Sequence, residues 1–233
     1  MKRLNPEKIL SNKYNHLLIA LILLFILSPS MEVRDPTVKF PLAPCILLIV
    51  LLTVVRADFP RGNVFRFFLI FALVNFSINM LVYFLPESHI EVISTLKFIS
   101  GGISVLFYLA SVYFLSKRLF TVRKVTVDTI KGGISAYLLL GFAWAVLYGL
   151  LVEIYPEAFI ITSNKEMMYV HFSFTTLTTL GYGDIVPNNR IAAVLTNAEA
   201  IIGQLYLTIF VARLVGLYIV SEMSAVGQNG ARS

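Results

Sequence analysis

The chain has 233 residues, 58% of them hydrophobic and 14% charged, with a mean hydropathy of +0.81. So few charges exclude a soluble globular domain and point to a multi-spanning membrane protein. The net charge of +6 lies in short loops between apolar runs and not in basic clusters interleaved with aromatics, which argues for membrane orientation and against nucleic-acid binding.

Residues 1–13 are polar and basic, with Lys2, Arg3, Lys8 and Lys13 against Glu7. A first span is expected over 14–30. Ser28-Pro29-Ser30-Met31 is a poor cleavage site, so this span reads as retained and not as a signal peptide. A second span is expected over 40–56, with Pro41 and Pro44 near its start, where proline is tolerated. It contains Cys45, the one cysteine, so no intrachain disulfide can form. The third span, 64–85, stops at Pro86, and the fourth covers 92–116. Residues 119–130 mix apolar and basic side chains, as a helix lying at the inner interface would. The fifth span is expected over 133–154 and the sixth over 190–220, followed by a short polar tail. Gly-Gly-Ile-Ser occurs at 101–104 and again at 132–135; nothing around the two copies is alike, and small residues there suit close helix packing.

Loop charge alternates along this series. The N-terminus, the loop at 56–66 and the linker at 117–131 are basic, and the other loops are neutral or acidic. The positive-inside rule then predicts both termini in the cytoplasm, an even number of spans, and an outer position for the segment between spans five and six.

That segment carries the chemistry. Residues 155–166 read as an outer loop, and 167–179 as a helix too short to cross a bilayer, hence re-entrant and buried in protein. Its C-terminal end points a negative dipole at whatever lies below it, which favours a cation there. Next comes Thr179-Leu180-Gly181-Tyr182-Gly183-Asp184. A dehydrated potassium ion needs oxygens in place of its water shell, and backbone carbonyls aimed at one axis can supply them. An ordinary strand turns successive carbonyls to opposite sides, whereas alternating right- and left-handed backbone does not. Left-handed backbone is cheap only at glycine. Gly181 and Gly183 alternate with bulkier residues as that geometry demands. The expected potassium ligands are the carbonyls of Thr179, Leu180, Gly181 and Tyr182 with the Thr179 hydroxyl below them. Tyr182 is expected to wedge outward against helices and hydrogen-bond through its hydroxyl, and Asp184 to stand at the outer mouth.

These six residues resemble the signature filter of potassium channels, usually Thr-Val-Gly-Tyr-Gly-Asp, with Leu180 in place of valine. The resemblance is strong over 133–220 and extends weakly over the rest as a bacterial-type six-span arrangement. It implies an all-α membrane protein with six transmembrane helices, a re-entrant pore helix and filter between the fifth and sixth, and a homotetramer, because one filter strand cannot enclose an ion. Its domains would be a peripheral four-helix unit (1–116), a cytoplasmic interfacial linker (117–132), a pore domain (133–220) and a cytoplasmic tail (221–233). Such relatives often use spans one to four as a voltage sensor, which needs arginines in span four; about 2.3 kcal/mol is gained per charge moved through 100 mV. No charged residue lies between Phe98 and Ser116, so no intrinsic voltage sensing is expected. Many relatives brace the outer aspartate with a glutamate or tryptophan. The corresponding places hold Phe172 and Thr175, so that brace reads as missing, and His171 reads as a packing or interface histidine.

In span six, Glu199 is an intramembrane acid and so a functional candidate. It is expected to back the pore helix through threonine hydroxyls or, failing that, to face the cavity. Gly203, nineteen residues after Asp184, stands where related channels place a gating-hinge glycine. Leu207, Val211 and Val215 fall near one helix face and form the expected apolar inner gate. Arg213 is expected at headgroups or a neighbouring subunit. The reading is a passive potassium channel of the plasma (inner) membrane, with potassium ions in its filter, membrane lipids around it, no organic cofactor and no enzymatic step. A non-conducting scaffold or sensor subunit, or a subunit of a potassium-uptake transporter, is the competing reading.

Overall fold

The computed structural model describes residues 14–32, 49, 52–53, 63–122, 125–162 and 168–230. Six helices account for most of them: α1 (Asn15–Glu32), α2 (Asn63–Phe84), α3 (Ile90–Leu119), α4 (Val127–Ile154), α5 (Tyr169–Leu177) and α6 (Arg190–Gly230). Among the described residues, Ile90–Leu119, Val127–Ile154 and Arg190–Val220 are long and apolar enough to cross a membrane, and Asn15–Ser28 and Phe68–Phe84 are shorter apolar helical stretches. The protein is a multi-pass membrane protein. The expected second span lies outside the described residues apart from three helical positions, Ile49, Leu52 and Thr53.

Local chemistry explains the helix ends, several of which differ from the sequence expectation. α2 stops at Phe84, ahead of Pro86, which opens a single 3-10 turn, Glu87–His89. The anticipated interfacial helix over 119–130 does not form. α3 runs on to Leu119 with Lys117 and Arg118 in its last turn, where positive charge suits the carbonyl end. A turn follows at Phe120-Thr121, and Thr126 then starts α4 early: the Thr129 amide donates to Thr126 Oγ1 at 3.2 Å and the Thr126 amide donates to Thr129 Oγ1 at 3.3 Å. At the other end of the chain, α6 continues to Gly230 through residues expected to be a tail, because Glu222, Met223, Ala225 and Gln228 are good helix formers and no proline intervenes.

The all-α expectation needs one amendment. β1 (Phe159–Ile161) and β2 (Ile185–Pro187) pair antiparallel, with Phe159 opposite Pro187 and Ile161 opposite Ile185. Two bonds lengthen the ribbon: the Thr162 amide donates to the Asp184 carbonyl at 2.9 Å, and the Asn188 amide to the Ala158 carbonyl at 2.8 Å. The outer loop is therefore tied to the segment immediately after Asp184.

The core is built on α4. Ala136, Leu139 and Tyr148 are fully buried there, and α1, α3, α5 and α6 all pack against it. Close approach rests on small residues. A Cβ on Gly141 would lie 2.6 Å from the Phe174 ring of α5, and a Cβ on Gly133 would run into the Phe210 ring of α6. The second glycine of the 132–135 tetrapeptide thus has a definite use. Gly133→Ala is expected to lower stability by about 1–3 kcal/mol through overpacking, read as a drop in Tm, with Phe210→Leu restoring part of the loss.

Between α2 and α3 the apolar packing is interrupted by a polar set that the sequence reading did not anticipate. Asn75 Nδ2 donates to the Ser100 carbonyl at 2.9 Å and to Ser104 Oγ at 3.0 Å, and Asn79 Nδ2 donates to Ser100 Oγ at 2.8 Å. Inside a bilayer such bonds hold two helices in one register.

Candidate functional site

α5 has nine residues, about 13 Å at 1.5 Å per residue, and is buried from Phe172 to Leu177. Aromatic contacts seat it. Phe172 meets Tyr148 at 5.0 Å and Phe159 at 4.9 Å between ring centroids, and Phe174 meets Phe25 at 4.8 Å and Phe142 at 5.5 Å. It is shorter than the 167–179 expected, because Thr178 already closes it: the Thr178 amide and Oγ1 both donate to the Phe174 carbonyl, at 3.1 and 2.6 Å.

Beyond that cap the chain alternates in hand. Thr179, Gly181 and Gly183 have φ of +59°, +53° and +75°, and these are the positive-φ positions among the described residues. Left-handed backbone therefore recurs at every second residue over five positions. It includes a β-branched residue, Thr179, for which that conformation is strained. The amides are turned back into the protein: Leu180 and Gly181 both donate to the Thr175 carbonyl, at 2.8 and 3.1 Å, and Thr179 donates to the Thr176 carbonyl at 2.9 Å. Among the described residues nothing donates to the carbonyls of Thr179, Leu180, Gly181 or Tyr182. A row of oxygens is thus left unpaired on one side of a strained, well-anchored strand. The Leu180 and Tyr182 side chains are 56% and 67% exposed in the single chain.

The segment is fixed at its outer end too. Thr162 Oγ1 donates to the Asp184 carbonyl at 3.0 Å, and His171 Nε2 lies 2.9 Å from Asp184 Oδ2. The His171 ring also stacks on Tyr182, 5.8 Å between centroids and 6° between planes. Tyr182 was expected against surrounding helices with its hydroxyl bonded; within one chain its neighbour is this histidine. The brace that seemed missing at Phe172 and Thr175 is supplied one residue earlier, by His171. A histidine eight residues before Thr179 was the available signal. Partial burial acts to raise the Asp184 carboxyl, but the hydrogen bond and charge of His171 and the amides of Asp184 and Ile185 outweigh it, so the group titrates below its ordinary 3.8. A lowered carboxyl stabilises the fold fully above pH 3.8 and loses that contribution as pH falls through its lowered value. His171→Phe is therefore expected to move this acid limb up toward pH 3.8, measured by NMR titration of the Asp184 carboxyl.

Glu199 on α6 is fully buried behind α5. Tyr148 OH donates to its Oε2 at 2.5 Å, and Ser173 Oγ lies 2.5 Å from its Oε1. It backs the short helix through Ser173 instead of a threonine, and Tyr148 ties it to α4. Gly203 sits one turn further along an uninterrupted helix, and a Cβ there would lie 2.5 Å from the Leu177 carbonyl oxygen. Its lack of a side chain thus lets α6 reach the end of α5. Gly203→Ala is expected to push the two apart and lower Tm by several degrees, since backbone cannot yield as a side chain does.

Leu207, Val211 and Val215 follow at four-residue spacing on one face, 37%, 53% and 52% exposed. Arg213, expected at headgroups or a neighbouring subunit, has partners within the chain. Its Nη2 donates to the carbonyls of Phe120 and Val122 (3.1 Å to Val122), and the guanidinium lies 5.2 Å from the Phe120 ring centre, so α6 is clamped to the segment after α3.

Residues 134–219, from within α4 to near the end of the apolar part of α6, match the family model described as "Ion channel". This stretch is similar to ion channel domains. The matched family is one of channels, not enzymes, and the domain contains every element of the alternating-backbone segment described above. No curated protein matches the chain. No solved structure matches it either.

Proposed function

We propose that the protein is a potassium-selective channel in which four copies place their 179–183 segments around one axis. The observation that carries this reading is the unpaired row of carbonyls from Thr179 to Tyr182, held in alternating hand with the amides tied to Thr175 and Thr176. Carbonyl rings of this kind replace a cation's hydration shell. Two further features support it. α5 ends at the base of the row, so its partial negative charge favours a cation there. And the single chain leaves Leu180, Tyr182 and much of one face of α6 exposed, which other copies would cover.

In this assembly Asp184 and His171 stand at the outer mouth, both termini are cytoplasmic, and Leu207, Val211 and Val215 line an inner constriction that closes by excluding water. Gly203 lies between the filter and that constriction, and the Arg213 clamp at the level of Val211 and Val215. The absence of charge from Phe98 to Ser116 leaves that part of α3 with nothing for the membrane field to move. The deciding experiment is purified protein in vesicles loaded with potassium or sodium salt. Potassium efflux that barium blocks, with sodium efflux at least tenfold slower, is expected; equal fluxes, or a dimeric or monomeric particle, would sink the reading.

A further inference from the structure

A cavity of about 400 Å³ opens between α1, α3, α4 and the first turn of α5, well within the size of ligand sites. Tyr108, Phe142 and Leu24 line its inner part, and Lys97 and Glu153 stand at its mouth, at the end of the bundle shared with Asp184. From Lys97 to Tyr108 along α3, and from Glu153 to Phe142 along α4, is eleven residues, about 16 Å at 1.5 Å per residue. This matches one half of a hydrocarbon core about 30 Å thick. The slot is thus as deep as one leaflet, mostly apolar along its length and charged only at the headgroup level.

The mouth carries one cation and one anion. Both side chains are exposed, Ser94 Oγ donates to Glu153 Oε1 at 3.4 Å, and no ion pair joins Lys97 to Glu153 among the described residues. A lysine beside a carboxylate complements a headgroup that itself holds a phosphate and an ammonium. A solely anionic headgroup would meet the Glu153 carboxylate at close quarters. Room for the tail comes from Gly149, where an added Cβ would meet no atom within 4 Å.

We propose that this slot binds a single zwitterionic phospholipid, one acyl chain lying between α3 and α4, its phosphate at Lys97 and its ammonium at Glu153. The occupant touches Tyr169 and Val170 and so reaches the helix that carries His171. The site goes beyond ion conduction, and its test needs no flux.

The full chain, purified and stripped of lipid in detergent, is re-exposed to phosphatidylethanolamine or phosphatidylglycerol, and the phospholipid retained per chain is counted by native mass spectrometry. The wild type is expected to keep one phosphatidylethanolamine per chain and to prefer it over phosphatidylglycerol by at least tenfold. Gly149→Leu, which fills open space and removes a helical glycine, should retain at least tenfold less with the same helix content. Lys97→Gln combined with Glu153→Gln changes only exposed side chains. It should abolish the preference between the two lipids even if Gly149→Leu does not fold. Undiminished retention by a folded Gly149→Leu, a preference unchanged in the double variant, a preference for phosphatidylglycerol, or no lipid held by the wild type because another copy's side chains fill the slot would each overturn the proposal.

Discussion

Gly181→Ala, made in the full chain and reconstituted in vesicles, is expected to reduce potassium flux by about a thousandfold or more while leaving the helices intact. An L-residue in left-handed backbone costs roughly 1–2 kcal/mol, and four copies around one axis would each carry that cost. The summed ~4–8 kcal/mol acts on the population of the conducting backbone, at 1.4 kcal/mol per factor of ten. Space is not the obstacle, since an added Cβ meets nothing within 4 Å in the single chain. The φ of +53° is. Far-UV CD and Tm should therefore stay near wild type, because the segment makes few packing contacts and its anchoring bonds run through amides that alanine keeps. Gly183→Ala, at φ +75°, should behave alike. Leu180→Val should leave selectivity between potassium and sodium unaltered, since that position is read as giving its carbonyl. A Gly181→Ala protein conducting potassium selectively at the wild-type rate would refute the alternating-backbone account.

The long helices were legible because apolar runs of membrane length have few alternatives. The alternating segment was legible because two glycines spaced by one residue mark a backbone that other residues resist. What escaped depended on contacts between distant residues. Three-residue strands such as Phe159–Ile161 are too short to show a period, and their pairing with Ile185–Pro187 is a property of the closed loop. Nothing local in His171 says that Asp184, thirteen positions on, will lie 2.9 Å away. Gly203 was read as a hinge from its distance to Asp184, whereas its immediate neighbour, the Leu177 carbonyl, emerges only once α5 and α6 are packed. Helix ends moved because short-range bonds decide them: the reciprocal Thr126–Thr129 bonds open α4 at Val127, well before the apolar run that suggested 133.

Glu199→Ala is expected to be the most destabilising single change outside the filter, and Glu199→Gln to be mild. The contrast follows from counting hydrogens. Ser173 Oγ lies 2.7 Å from the Gly141 carbonyl and 2.5 Å from Glu199 Oε1, while Tyr148 OH lies 2.5 Å from Oε2. Two hydroxyls bring two hydrogens to three contacts. Tyr148 has one use for its hydrogen, and Ser173 satisfies the Gly141 carbonyl with its own, so the remaining contact needs a hydrogen on the carboxyl, donated from Oε1 to Ser173 Oγ. Glutamine reproduces this arrangement, its amide donating to Ser173 and its carbonyl accepting from Tyr148, with one spare amide hydrogen that costs about 1 kcal/mol. Alanine leaves the buried Tyr148 hydroxyl without its acceptor, at ~1–3 kcal/mol, and opens a cavity between α4, α5 and α6 that costs about 2–3 kcal/mol more. A loss of ~3–5 kcal/mol corresponds to a fall in Tm on the order of 10 °C. Since Ser173 lies in α5, four residues before its end at Leu177, the same loss loosens the platform of the alternating segment, and flux should drop with stability in Glu199→Ala. Melting curves of the two variants side by side decide the matter: a glutamine variant as unstable as the alanine one would mean that the three oxygens are held by a charge and not by a shared set of hydrogens.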